Sequence, residues 1–149
     1  MDEIEVEVSV ADGLAAPVDP ARIEAAVRHV LRAEGVREGE ISVALMDDDA
    51  IHQLNREWLD HDYVTDVISF NLNEPGEPPL GDVYLGAAQA ARQAAELGAD
   101  PAEELLRLAV HGTLHVLGWD HPEGAERADS DMFRRQEALL RDFLAEGAR

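Results

Sequence analysis

Cysteine is absent from this chain. Disulfides, cysteine-type zinc sites and thiol nucleophiles are therefore excluded, which fits a cytosolic protein. No apolar run approaches the ~20 residues of a membrane span. The acidic start Met1-Asp2-Glu3-Ile4-Glu5 lacks the basic and apolar regions of a secretory signal. A cytoplasmic location without membrane partners is the expectation. Basic residues are scarce: 12, all of them arginine, against 32 Asp plus Glu, for a formal charge of −20. Such a surface repels polyanions, so any nucleic acid must be held at a locally basic or metal-containing patch. That argues against a nucleic-acid-coating role, and DNA is not an expected partner. The acidity itself reads most simply as a solubility or salt-tolerance adaptation.

What is present suits one domain spanning residues 1–149, with 46% hydrophobic residues and enough length to bury a core. Ile4, Val6, Val8 and Val10 alternate with polar residues and predict a half-buried strand. Asp19-Pro20 opens a helix to about Ala33, with Ile23, Val27, Val30 and Leu31 at helical spacing. Ile41–Met46 predicts a second strand and Asp47-Asp48-Asp49 the start of a helix to about Trp58. Asp66–Leu72 and Gly81–Leu85 predict two more strands around a loop at Asn73–Pro79. Helices follow over Ala87–Leu97, from Asp100-Pro101-Ala102-Glu103 to a stop at Gly118, and from about Glu126 to Ala145. The class is α+β, a small mixed four-stranded sheet packed with about five helices.

Three of the six histidines lie in one window, His111-Gly112-Thr113-Leu114-His115-Val116-Leu117-Gly118-Trp119-Asp120-His121. His111 and His115, at i and i+4, project from one helical face and can reach one ion. Gly118 breaks the helix and can return His121 over the same face. Three imidazoles suit one zinc ion per chain with an open fourth position, the layout of a catalytic site. A histidine pair alone also occurs as an ordinary core or exposed pair, and a closed structural zinc is a further alternative, although such sites usually recruit cysteine. The nearest general motif is the zincin helix, where the residue after the first histidine is the glutamate that activates water for peptide hydrolysis. Here that residue is Gly112, so the metal geometry is kept and the proteolytic base is not.

This window resembles the signature of the YbeY family of bacterial rRNA-maturation endoribonucleases, HGxLHLxGxDH. Leu54-Asn55, Thr65-Asp66-Val67-Ile68-Ser69-Phe70, Gly81-Asp82-Val83, Met132 and Gln136-Glu137 follow the family's order, so the resemblance covers about Ile41 to Leu140. It implies a zinc-dependent endoribonuclease acting on single-stranded RNA, in processing of the small-subunit rRNA 3′ end and in ribosome quality control. It implies metal ligation by His111, His115 and His121. Asp120, inside the signature, either orients a ligand or relays a proton, or else only stabilises the turn. Thr65, Asp66 and Asp82 stand at strand entrances, where turn stabilisation is the simpler role.

One position departs from the family. Where relatives commonly carry an arginine that can clamp phosphate, this chain has Leu59. Arg56, one helical turn before it, is the candidate replacement; Arg22, Arg28 and Arg32 on the first helix are others. Whether the zinc-activated water takes a 2′-hydroxyl proton or attacks phosphorus directly stays open. Two other readings also stay open: a metal-dependent hydrolase of another substrate, and a zinc-containing ribosome assembly factor that meets ribosomal proteins of the small subunit with little catalysis.

Overall fold

The computed structural model describes residues 3–119 and 131–147. Along the chain come β1 (Glu3–Val10), α1 (Pro20–Ala33), β2 (Glu38–Met46), α2 (Asp48–Leu59), β3 (Val67–Asn71), β4 (Leu80–Gly86), α3 (Ala87–Leu97), α4 (Pro101–Val116) and α5 (Asp131–Gly147). The strands form one mixed sheet in the order β1-β2-β4-β3, with β3 the antiparallel edge. This is the α+β arrangement that the sequence pattern predicts. The predicted start of the last helix near Glu126 lies outside the described residues.

Alternation sorts the two faces of the sheet. Ile4 and Val6 of β1, Ile41, Val43 and Leu45 of β2, and Val83 and Leu85 of β4 are buried on one face. Glu3, Glu5, Glu7, Glu38 and Glu40 are exposed on the other. Glu3 stands opposite Glu38 and Glu5 opposite Glu40, like charges that oppose pairing. Hydrogen bonding to Glu5 and its charge push the Glu40 carboxyl above its ordinary pKa.

The apolar face is closed by α1 and α4, with α4 lying against β3, β4, α1, α3 and α5. That placement explains why α4 is apolar nearly all round, with Leu105, Leu106, Leu108, Ala109, Val110, Leu114 and Val116 buried. Asp100 caps its start by accepting the Ala102 N–H at 3.2 Å, with Pro101 in the first turn. At its end Gly118 adopts φ +98°. There the Gly118 N–H bonds the His115 carbonyl and the Trp119 N–H bonds the Leu114 carbonyl, each at 3.0 Å. Such paired bonds satisfy helix-end carbonyls and need the left-handed residue that glycine supplies. Asn71 of β3 satisfies another, donating to the Val116 carbonyl at 2.7 Å.

Two glycines set how closely α4 approaches the sheet. A Cβ on Gly112 would stand 2.6 Å from Val83 Cγ1, and one on Gly81 would stand 2.5 Å from Val116 Cγ1 and 2.6 Å from the Phe70 carbonyl oxygen. Val83 is fully buried and stiff at χ1, so it cannot swing clear. Alanine in a helix interior ordinarily gains about 1 kcal/mol over glycine, whereas overpacking a core costs about 1–3 kcal/mol. We expect Gly112→Ala to lower the unfolding free energy by about 1 kcal/mol or more in urea titration. A variant more stable than the parent would show that α4 does not pack this tightly.

Candidate metal centre

His111 and His115 occupy one face of α4, as the i, i+4 spacing predicts. Their rings meet edge to face, with centroids 4.6 Å apart. The two Nε2 atoms stand 3.1 Å from each other. Each Nδ1 faces an acceptor: His115 the Trp119 carbonyl oxygen at 2.9 Å, His111 the Gln136 Oε1 at 2.6 Å. An imidazole nitrogen facing a carbonyl oxygen must carry the proton, which leaves the lone pair on the other nitrogen. Both Nε2 atoms are therefore acceptors pointed at a common space, and neither can donate to the other. That is the donor set a cation requires. Two nitrogens about 2.0–2.1 Å from a tetrahedral zinc lie about 3.3 Å apart, close to the separation here, so these residues fit a zinc ion. Asp120 and His121 lie outside the described residues.

The partners of the pair are themselves held by other polar groups. Gln136 sits on the buried stripe of α5 among Met132, Leu139, Leu140 and Phe143, and is only 4% exposed. Its Nε2 donates to Glu137 Oε2 at 3.0 Å, and Glu137 receives Arg107 Nε at 2.9 Å. Glu34, just beyond α1, accepts the Trp119 indole N–H at 2.5 Å and Arg135 NH2 at 2.9 Å. It thereby ties down the residue whose carbonyl holds His115. The sequence pattern assigns none of these roles. Beside the place of Gln136-Glu137 in the family's order, a glutamine inside an otherwise apolar stripe is a signal that singles out Gln136 without naming its partner.

His111 also lines a cleft of about 390 Å³, together with Asp66, Gln93, Arg107, Phe133 and Gln136 among others. Asp66 accepts the Gln93 amide at 3.2 Å, and its backbone carbonyl accepts the Gly86 N–H at 2.8 Å. Asp82 accepts the Tyr84 hydroxyl at 3.2 Å. These bonds give Asp66 and Asp82 structural work at their strands. Arg56 is exposed in the last turn of α2, and Leu59 ends that helix, also exposed. No described hydrogen bond or ion pair joins Arg56 to either histidine. Asn55 is buried; its side chain donates to the Tyr63 carbonyl at 3.0 Å, so it pins the turn leading to β3.

Gly112 points away from the histidine face, toward Val83 and Val67. A glutamate at that position would meet the sheet, so the zincin base has no room here.

A family model described as Endoribonuclease YbeY matches residues 13–144. The chain belongs to the YbeY family. It is 48% identical to the Endoribonuclease YbeY of Moorella thermoacetica, over 72% of this chain and 76% of that one. It is 36% identical to the Endoribonuclease YbeY of Salinispora tropica, over 97% of this chain and all of that one. The fold is also that of TM1509 from Thermotoga maritima, whose solution structure superposes with a TM-score of 0.67 at 23% identity, covering 96% of this chain and 91% of that one.

Among the described residues near the histidine pair the most buried acid is Glu104, 5% exposed on α4. Burial pushes its carboxyl above the ordinary range; Arg107, 3.5 Å away, pulls it back, and Asp66 and Glu137 push it up again, leaving it raised. A carboxyl whose folded pKa is raised binds its proton more tightly folded than unfolded. Its contribution is therefore full at acid pH and is lost as pH rises through the folded pKa. We expect Glu104→Gln, which stays neutral, to gain stability relative to the parent as urea titrations move from about pH 4 to about pH 7. A constant difference across that range would place the Glu104 pKa at its ordinary value.

Proposed function

We propose that this chain is a zinc-dependent endoribonuclease that cleaves single-stranded RNA, acting in maturation of the small-subunit rRNA 3′ end and in ribosome quality control. Membership of a family whose relatives bear the name endoribonuclease supports the reaction class. The observation that carries the metal is the pair of Nε2 lone pairs aimed at one space, with both Nδ1 atoms bonded to acceptors. His111, His115 and His121 would hold the ion, one per chain. When bound, zinc supplies Lewis-acid polarisation of a phosphoryl oxygen and makes water a usable nucleophile at neutral pH.

The remaining work falls to the chain's own residues. His111 and His115 must be neutral, and their Nδ1 partners keep the Nε2 lone pairs directed. The cleft beside His111 is lined by the carboxylates of Asp66, Glu104 and Glu137, so phosphate would be held elsewhere. Arg56 is the proposed phosphate clamp in place of the family arginine that Leu59 replaces, and Asp120 the proposed proton relay. Gly112, turned into the sheet, removes the ground for peptide hydrolysis.

A second role is favoured by the exposed glutamates of β1 and β2. That face suits basic ribosomal proteins of the small subunit, with which an assembly factor would dock. The two roles are compatible.

The test combines metal analysis with labelled single-stranded RNA, with and without chelator. We expect about one zinc per chain, chelator-sensitive RNA cleavage, and loss of both in His111→Ala, His115→Ala and His121→Ala. Parental zinc content in all three variants would remove the site; cleavage that survives both chelator and substitution would remove the metal from the reaction. We expect Arg56→Ala to slow cleavage about tenfold, the scale of one charge-assisted hydrogen bond, at unchanged zinc content. Parental cleavage by Arg56→Ala together with strong activation by Leu59→Arg would show that this chain has no clamp.

A further inference from the structure

The stripe of α5 that packs on α4 is apolar at Met132, Leu139, Leu140 and Phe143. Gln136 is the polar member of that stripe. A buried primary amide has four hydrogen-bonding capacities to satisfy and is costly to leave unpaired, so its persistence at a core position calls for a partner of equal specificity. Its oxygen meets His111 Nδ1 at 2.6 Å and its nitrogen meets Glu137 Oε2 at 3.0 Å. Glu137 in turn is gripped by Arg107 Nε through both carboxylate oxygens, at 2.9 and 3.2 Å. Arg107 lies one helical turn before His111 on α4, and its NH1 also reaches Glu104 Oε2 at 3.5 Å.

The order of donors in this chain is forced. Arginine can only donate and an ionised carboxylate can only accept, so Glu137 must receive from the amide NH2 of Gln136 as well. The amide cannot turn over without setting its oxygen against a carboxylate. Its carbonyl oxygen is thereby aimed at His111, where only an N–H is acceptable. We propose that Gln136 is a positioning residue for the metal centre: held by Glu137 and Arg107, it selects the Nδ1–H tautomer of His111 and so presents the Nε2 lone pair as a ligand. His115 is set in the same way by a backbone carbonyl, which no side-chain substitution removes. In this pair it is His111 whose Nδ1 faces a side-chain acceptor.

The proposal rests on the metal reading of the histidine pair, and the experiment separates the two. In the full chain freed of metal by chelator, long-range nitrogen-proton NMR reads the tautomer of each histidine directly. We expect His111 to be protonated at Nδ1 in the parent and to lose that preference in Gln136→Leu, which keeps bulk and burial. His115 should be unchanged in both. On titration with zinc and a competing chelator, Gln136→Leu should bind about 10–100-fold more weakly than the parent, the range for loss of a ligand's hydrogen-bond partner. Cobalt(II) substitution should shift the visible bands in Gln136→Leu alone. A His111 tautomer unchanged in Gln136→Leu, or zinc affinity equal to the parent's in a folded Gln136→Leu, would overturn the proposal. Absence of zinc binding by the parent itself would instead overturn the metal reading, leaving the tautomer measurement to decide the role of Gln136.

Discussion

The close contact between α4 and the sheet is the constraint on which the site depends. Gly112 lies over Val83 and Val67, and Gly81 lies under Val116, so each surface lacks a side chain where the other presses in. A helix held that near a strand layer, and covered elsewhere by α1, α3 and α5, has almost no solvent around it. Whatever polar groups it carries must then be paired with protein. His111 is 5% exposed, as is Glu104 two turns before it on the same helix. The pairing of these groups follows from the packing.

Low exposure also explains why the hydrogen-bond partners are strong ones. In a poorly solvated setting a carboxylate shared between an amide and a guanidinium is better held than in water. Burial lowers the pKa of Arg107, yet the hydrogen bond to Glu137 and the charges of Glu137, Glu104 and Glu103 outweigh that and leave it raised. The guanidinium is therefore a fixed charge at any accessible pH, and the carboxylates around it are organised by it. Glu34 plays the corresponding part on the other side of the histidines, taking the Trp119 indole and the Arg135 guanidinium together.

The parts of this architecture that could be read from the sequence are local ones. Strand alternation in β1 and β2, the Asp19-Pro20 and Asp100-Pro101 helix starts, the Gly118 stop and the shared face of His111 and His115 each depend on residues within a few positions of one another. Their periodicity or capping chemistry is visible without tertiary information. Gln136 meets His111 across 25 residues and Glu34 meets Trp119 across 85, and no spacing rule reaches so far. Gly112 shows a different limit. Read as a motif it is a missing glutamate, whereas in the fold it is a point of close approach between helix and strand, a property that belongs to Val83 as much as to the glycine.

Part of the strong negative charge is gathered on one face of the sheet. Glu3, Glu5, Glu7, Glu38 and Glu40 project from the face of the sheet opposite α4, because strand side chains alternate and Ile4, Val6, Ile41 and Val43 take the other side. The sheet and a helix about 10 Å across separate those glutamates from the histidine side of α4. The face carries a cost of its own, since Glu5 and Glu40 crowd like charges across paired strands. Such crowding is relieved by a cationic partner and aggravated by a polyanion, so the glutamate face of the sheet disfavours RNA.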